Sequence, residues 1–118
     1  MTAPNSVRKF EYRPCRIATG FDVDFVAGEK SLRGLCRDVS NSGIRATFDG
    51  SIAVGTSGLL VLRHPIGVLK VEAQVAYIQT DQVGLEFIFK TSWESAMTIE
   101  YIASIANHAA TSLVVRFP

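Results

Sequence analysis

A chain of 118 residues suits one domain, and a domain of that length buries roughly two-thirds of the surface its unfolded form exposes. Its 47% apolar and 19% charged composition excludes a disordered chain. The net charge of +1 excludes a global field drawing the protein to nucleic acid or to a membrane surface.

Charge is uneven locally. Residues 5–16 carry Arg8, Lys9, Arg13 and Arg16 against Glu11, while the rest of the chain is slightly acidic. An anion would therefore be gripped near the N-terminus. The two cysteines, Cys15 and Cys36, match no zinc spacing and are too few for a disulfide scaffold, which favours a reducing compartment. The N-terminus lacks the apolar core of a signal peptide, and no run reaches the ~20 apolar residues of a membrane span. A soluble cytoplasmic protein without membrane insertion is the expectation. Neither an internal repeat nor a low-complexity tract is visible.

Residues 1–7 are small, polar and proline-bearing, and read as a flexible lead. The basic arm from Arg8 to Arg16 interleaves Phe10 and Tyr12. Pro14 disfavours helix there, so the arm is expected to be extended or turned. From Ala18 to Ala27, Phe21, Val23 and Phe25 alternate with Asp22 and Asp24, the pattern of a half-buried strand. A turn at Gly28-Glu29-Lys30 leads to a second strand, Ser31–Val39. The stretch Asp38-Val39-Ser40-Asn41-Ser42-Gly43 then reads as a polar turn, with Gly43 free to take a positive φ.

A third strand alternates Ile44, Ala46 and Phe48 with Arg45, Thr47 and Asp49. The short run Gly58–Leu62 suits a strand buried on both faces. After His64-Pro65, the longest strand carries Leu69, Val71, Ala73, Val75 and Tyr77 on its apolar face, and a last strand carries Val83, Leu85, Phe87 and Phe89. Six short strands separated by turns predict an all-β core, an antiparallel sandwich or small barrel.

The register changes at Thr91-Ser92, either of which can cap a helix, with Glu94 suited to its positive end. Trp93, Met97, Tyr101 and Ile105, broadened by Ile102, form a stripe expected to pack on a barrel opening or flank, with the helix ending near His108. Residues 111–118 are left as an apolar tail, able to pair with an edge strand or to meet a second copy of the chain. A homodimer is thus an open option.

The D-x-S-x-x-G spacing of Asp38, Ser40 and Gly43, its place between two strands, the later Gly84-Leu85-Glu86-Phe87 segment and the closing helix together resemble the PilZ domain family. The resemblance spans roughly residues 8–108. It implies a six-stranded antiparallel β-barrel with a C-terminal helix over residues 8–110, and a receptor for cyclic di-GMP. The family pairs D-x-S-x-x-G with an R-x-x-x-R motif ahead of the first strand. Here the arginine half departs from that pattern. If Arg16 is its second member, Tyr12 stands in the first place and Arg13 follows one residue late. If Arg13 is the second member, Lys9 takes the first place and Arg8 lies one residue early.

The ligand-binding residues implied are Arg8, Lys9, Arg13, Arg16, Asp38, Ser40 and Gly43, with Tyr77 a weaker candidate whose apolar face favours burial. The chemistry suits the ligand. Guanidinium groups grip phosphate bidentately or address guanine O6 and N7, and a carboxylate accepts from the guanine N1–H and N2–H edge. Ser40 can bond phosphate or its own turn, and Gly43 can let the backbone approach the ligand. An unidentified protein effector in motility, biofilm, secretion or polysaccharide control is implied as the partner.

The broken arginine spacing keeps a second reading open, a degenerate PilZ-like protein-interaction module without the nucleotide. A third, a barrel for single-stranded nucleic acid, would need exposed aromatics in a charged groove, whereas most aromatics here fall on core faces. No nucleophile elbow, Walker loop or paired metal-ligand motif occurs. His64, His108 and Cys15 lack catalytic company, so neither catalysis nor a cofactor is expected.

Overall fold

The computed structural model describes residues 17–116, with side chains through His108. The chain forms β1 (Ile17–Ala18), β2 (Asp22–Ala27), β3 (Lys30–Ser40), β4 (Gly43–Phe48), β5 (Ser57–His64), β6 (Gly67–Gln79), β7 (Gln82–Phe87) and the helix α1 (Ser92–Arg116). Strands β3, β2, β5, β6, β7 and β4 lie side by side in that order, and pairing of β4 with β3 closes a six-stranded barrel. Every neighbouring pair is antiparallel. The six expected strands are all present. The extra one, β1, separates from β2 where Gly20 interrupts the run, and pairs with the far end of β3.

Period-two alternation builds the core. Val23 and Phe25 of β2, Leu60 and Leu62 of β5, and Val71, Ala73 and Val75 of β6 point inward with Val83, Leu85 and Phe87 of β7. Closure leaves the barrel itself without an exposed strand edge. On the outer face Asp24 of β2 pairs with Arg63 of β5 at 2.9 Å, an exposed ion pair of small energetic weight.

Helix α1 is capped by Thr91, whose Oγ1 accepts from the Glu94 N–H at 3.1 Å, while the Glu94 carboxylate accepts from the Lys90 N–H at 2.8 Å. Ile102 and Ile105 enter the core, and Thr98 is buried with them. The expected stripe is rotated. Trp93 is 70% exposed and Met97 44%. A row spaced strictly by four advances about 40° per step on a helix of 3.6 residues per turn, so Trp93 and Ile105 cannot share a face. The buried row is Thr98, Ile102 and Ile105, spaced four and three. The helix also runs past His108 to Arg116. No glycine or proline interrupts 92–116, and Ala109-Ala110 favour continuation. Residues 111–116, expected as a separate tail, are therefore helical.

The Tyr101 hydroxyl fastens α1 to the β5–β6 hairpin. It donates to the Gly67 carbonyl at 2.7 Å, with the Leu62 carbonyl 3.3 Å away, and accepts from the His64 N–H at 3.4 Å. Tyr101→Phe is expected to cost about 1 kcal/mol, since these hairpin groups lose their partner. Urea denaturation should show a lower midpoint with an unchanged slope.

His64 stands edge-on between Phe21, at 5.0 Å, and His108 of α1, at 5.1 Å. Burial holds the His64 pKa below its ordinary 6.5, and the facing His108 adds repulsion. A depressed folded-state pKa means that the unfolded chain binds the proton first. Stability from this group is intact above pH 6.5 and falls as the pH drops towards the folded value. Lowering the pH from about 7.5 to about 5 should therefore reduce the melting temperature more in the native protein than in His64→Phe.

Candidate functional site

The D-x-S-x-x-G stretch forms the β3–β4 hairpin. Ser40 pairs with Gly43 across a two-residue turn of Asn41 and Ser42. The Ser40 side chain is fully buried. Its Oγ accepts from the Ser42 N–H at 3.3 Å and lies 3.4 Å from the Gly43 carbonyl and 3.2 Å from Ser42 Oγ. Of the two partners open to Ser40 in the sequence, phosphate or its own turn, the structure fills the second.

Gly43 is not among the glycines with positive φ, which are Gly28, Gly55 and Gly67. It is a strand residue pressed against β7, where a β-carbon would collide with the Leu85 carbonyl oxygen. Its glycine character is thus required by the β4–β7 contact, a different cause from the turn conformation that the sequence suggests.

Two β-bulges aim the site. Between β3 and β4, Cys36 faces Ala46 and Asp38 faces Arg45, so Arg37 is the extra residue. Between β6 and β7, Val75 faces Leu85 and Tyr77 faces Gly84, so Ala76 is extra. An extra residue reverses the inward and outward parity of all that follows. Leu32 and Cys36 point inward, yet beyond Arg37 it is Val39 that is buried, and Asp38 turns outward. Likewise Leu69, Val71, Ala73 and Val75 line the core, whereas Tyr77 is 37% exposed. The expectation that Tyr77 is buried fails for this reason.

Both outward residues fall on one cross-strand row. Ala18 of β1 pairs with Asp38 of β3, Asp38 with Arg45 of β4, Arg45 with Gly84 of β7, and Gly84 with Tyr77 of β6. Gly84 has no side chain, and the Tyr77 ring lies over it where a β-carbon would stand. Ser42, Gly43, Tyr77, Gly84 and Glu86 line a shallow open groove of about 180 Å³ beside this row.

Arg45 grips Asp38 through Nε at 2.7 Å and Nη2 at 2.6 Å from the same carboxylate oxygen. The Asp38 side chain is 14% exposed and that of Arg45 35%, so the pair is only partly screened by water. The hydrogen bond to Asp38 raises the Arg45 pKa above its ordinary value, against the opposing effect of burial, and Tyr77 adds to the rise. The row thus presents a fixed carboxylate, a guanidinium and a phenol ring, which can accept from a base edge, meet an anion and stack on a ring.

Arg8, Lys9, Arg13 and Arg16 lie outside the described residues, as does the 1–7 lead. Strand β1 begins one residue after Arg16 and is paired with Val39 and Asp38. Arg45 was not singled out by the sequence, where it alternates with apolar residues like its neighbour Thr47 along β4. Only the register makes it the partner of Asp38. Cys36 is buried, with its Sγ 3.2 Å from Thr19 Oγ1, and belongs to the core. Among the described residues no helix is long and apolar enough to cross a membrane, and no group of three or more His, Cys, Asp or Glu side chains could hold a metal ion.

Comparison with solved structures finds the same fold. The chain is similar to the PilZ domain with c-di-GMP of YcgR from Escherichia coli, at 17% identity and a TM-score of 0.73, over 86% of this chain and 95% of that one. It is similar to the PilZ domain of CeSA from a cellulose synthesizing bacterium, at 12% identity and a TM-score of 0.67, over 78% and 98%. It also resembles the Bacillus subtilis inhibitor of motility MotI/DgrA, at 23% identity and a TM-score of 0.64, over 81% of this chain and 51% of that longer one. No curated protein sequence matches the chain. The sequence profile of the PilZ domain matches residues 6–104, the whole of the barrel and about half of the helix. The chain belongs to the PilZ domain family.

Proposed function

We propose that this protein is a cyclic di-GMP receptor that passes ligand binding on to a protein partner. The observation that carries the reading is the row Asp38, Arg45, Gly84 and Tyr77, turned outward by two bulges, next to the strand that directly follows the basic segment. In this reading Asp38 accepts from a guanine edge, Tyr77 stacks on a guanine, and the phosphates sit under Arg13 and Arg16, with Arg8 and Lys9 beside them. Ser40 and Gly43 act one step back, by fixing the hairpin. The solved E. coli relative, whose PilZ domain holds c-di-GMP, supports the ligand class.

The protein acts as a binding adaptor in the cytoplasm, with no catalysis of its own. Its output is altered contact with an effector in motility, biofilm, secretion or polysaccharide synthesis, a class of process to which the similar inhibitor of motility belongs by name. Contact of the basic segment with the ligand would supply the signal the effector reads.

The double substitution Arg13→Ala/Arg16→Ala should weaken cyclic di-GMP binding at least tenfold, the worth of about 1.4 kcal/mol, and leave the melting temperature within experimental error. Unchanged binding would overturn the placement of the phosphates. The arginine spacing, with Tyr12 in the first place, favours one alternative, a PilZ module that binds protein alone. Under that reading the native protein would give no binding signal either.

A further inference from the structure

One carboxylate in the groove beside Tyr77 has no partner among the described residues. Of the residues lining that groove, Glu86 alone carries a charge. In β7, Val83, Leu85 and Phe87 point into the core, so Gly84 and Glu86 share the outer face. Glu86 is exposed, and its side chain forms no ion pair or hydrogen bond with the described residues. Its cross-strand neighbours explain why. On one side stands Gly43, which has no side chain. On the other stands Gln74, whose amide is turned to the Gly55 carbonyl at 3.1 Å. Other outward acids of the barrel are engaged: Asp38 by Arg45, Asp24 by Arg63 and Glu72 by Lys90.

The Tyr77 ring fixes where a base can rest. It lies over Gly84, and its hydroxyl interacts with the Arg45 guanidinium that Asp38 holds. Two residues along β7, from Gly84 to Glu86, span about 7 Å. A base resting on the ring therefore brings one edge within hydrogen-bond reach of Glu86. A carboxylate is acceptor-only, so it suits an edge with adjacent donors. Guanine offers that edge in N1–H and N2–H2, whereas adenine meets the carboxylate with an N1 lone pair.

We infer that Glu86 reads the N1–H and N2–H2 edge of one guanine of cyclic di-GMP, an assignment that rests on the receptor reading above. Strand order puts Asp38 on β3 and Glu86 on β7, with Arg45 of β4 between them. The two carboxylates thus serve the two guanines, one each. The bland role for an exposed acid is to be solvated, and the sign of one substitution separates the two roles. Cyclic di-GMP carries two phosphate charges. Removing a solvated acid beside it tightens binding, whereas removing a hydrogen-bond acceptor for its base weakens binding.

The test is calorimetry of the full chain with cyclic di-GMP and with cyclic di-IMP, which lacks both N2 amino groups. Glu86→Ala should weaken cyclic di-GMP binding about tenfold, the scale of a hydrogen bond to a charged group. Cyclic di-IMP should lose less, so the preference for guanine over hypoxanthine narrows. Glu29→Ala removes the same charge from the exposed β2–β3 turn and should leave both affinities within about twofold. Melting of Glu86→Ala should match the native protein, because the side chain is exposed and unpaired among the described residues. Native protein that binds cyclic di-GMP, with Glu86→Ala binding it equally or more tightly, would overturn the assignment and leave the receptor reading standing. Equal losses for the two nucleotides would also overturn it, since contact with the base edge must distinguish them. Native protein that binds neither nucleotide would overturn both.

Discussion

Gly43→Ala is expected to destabilise the barrel by about 2–3 kcal/mol, the upper range for an overpacked, well-ordered site. The added carbon would occupy the place of the Leu85 carbonyl oxygen, so β7 must move away from β4. That shift reaches the ladder pairs Gly43–Glu86 and Ile44–Leu85, and the bond from the Phe87 N–H to the Ser42 carbonyl at 2.9 Å. Backbone on both sides leaves no flexible side chain to absorb the clash. Gly20→Ala is the matched control, since a β-carbon there meets nothing within 4 Å and Gly20 has no positive φ. Its stability should equal or slightly exceed that of the native protein. Urea unfolding of the two variants measures the difference. A Gly43→Ala protein as stable as the control would show that β4 and β7 do not approach as described.

The second large effect concerns binding rather than folding. Asp38→Ala is expected to weaken cyclic di-GMP binding by about 2 kcal/mol, roughly thirty-fold, which is the scale of a hydrogen bond to a charged group. Two causes combine. The guanine edge loses its acceptor, and Arg45 loses the carboxylate that holds it at 2.7 Å. Arg45 is one-third exposed, so water takes over part of that role and folding stability should fall far less than in Gly43→Ala. Comparing Asp38→Ala with Asp38→Asn by calorimetry separates the causes. The amide keeps the size and can hold Arg45 with its one oxygen, because both Arg45 contacts go to the same oxygen of Asp38, but it turns a donor to the guanine edge. An affinity for Asp38→Ala equal to that of the native protein would remove Asp38 from the site.

Gly43 and Asp38 sit five residues apart in one motif, yet they serve different purposes. Asp38 faces outward and holds Arg45, Ser40 is spent on its own turn, and Gly43 permits two backbones to touch. Here the D-x-S-x-x-G spacing encodes a hairpin of fixed shape with one outward carboxylate on its side.

Much of the fold was legible in the chain because alternation and turn chemistry agree. Phe21, Val23 and Phe25 alternate and are buried, Gly28 turns with a φ of 62°, and β6 is the longest strand as its repeating pattern predicts. Two of the failures are errors of phase. Tyr77 lies in perfect alternation after Val75, but Ala76 bulges, and alanine carries no signal that it will. On the helix, a period of four mimics an amphipathic stripe while drifting around a 3.6-residue turn, so Trp93 ends in solvent. The Asp38–Arg45 pair is a register fact joining two strands, invisible to any reading along one of them. Local pattern names the strands; the bulges decide which side chains reach the outer face.

The central claim is that this barrel face receives cyclic di-GMP. Calorimetric titration of the native protein with cyclic di-GMP, against GTP and cyclic di-AMP as controls, tests it most directly. Selective, saturable binding at micromolar strength or tighter is the predicted result. An absence of heat at high micromolar ligand, from protein whose melting shows it folded, would contradict it and leave the PilZ barrel as a surface for protein alone.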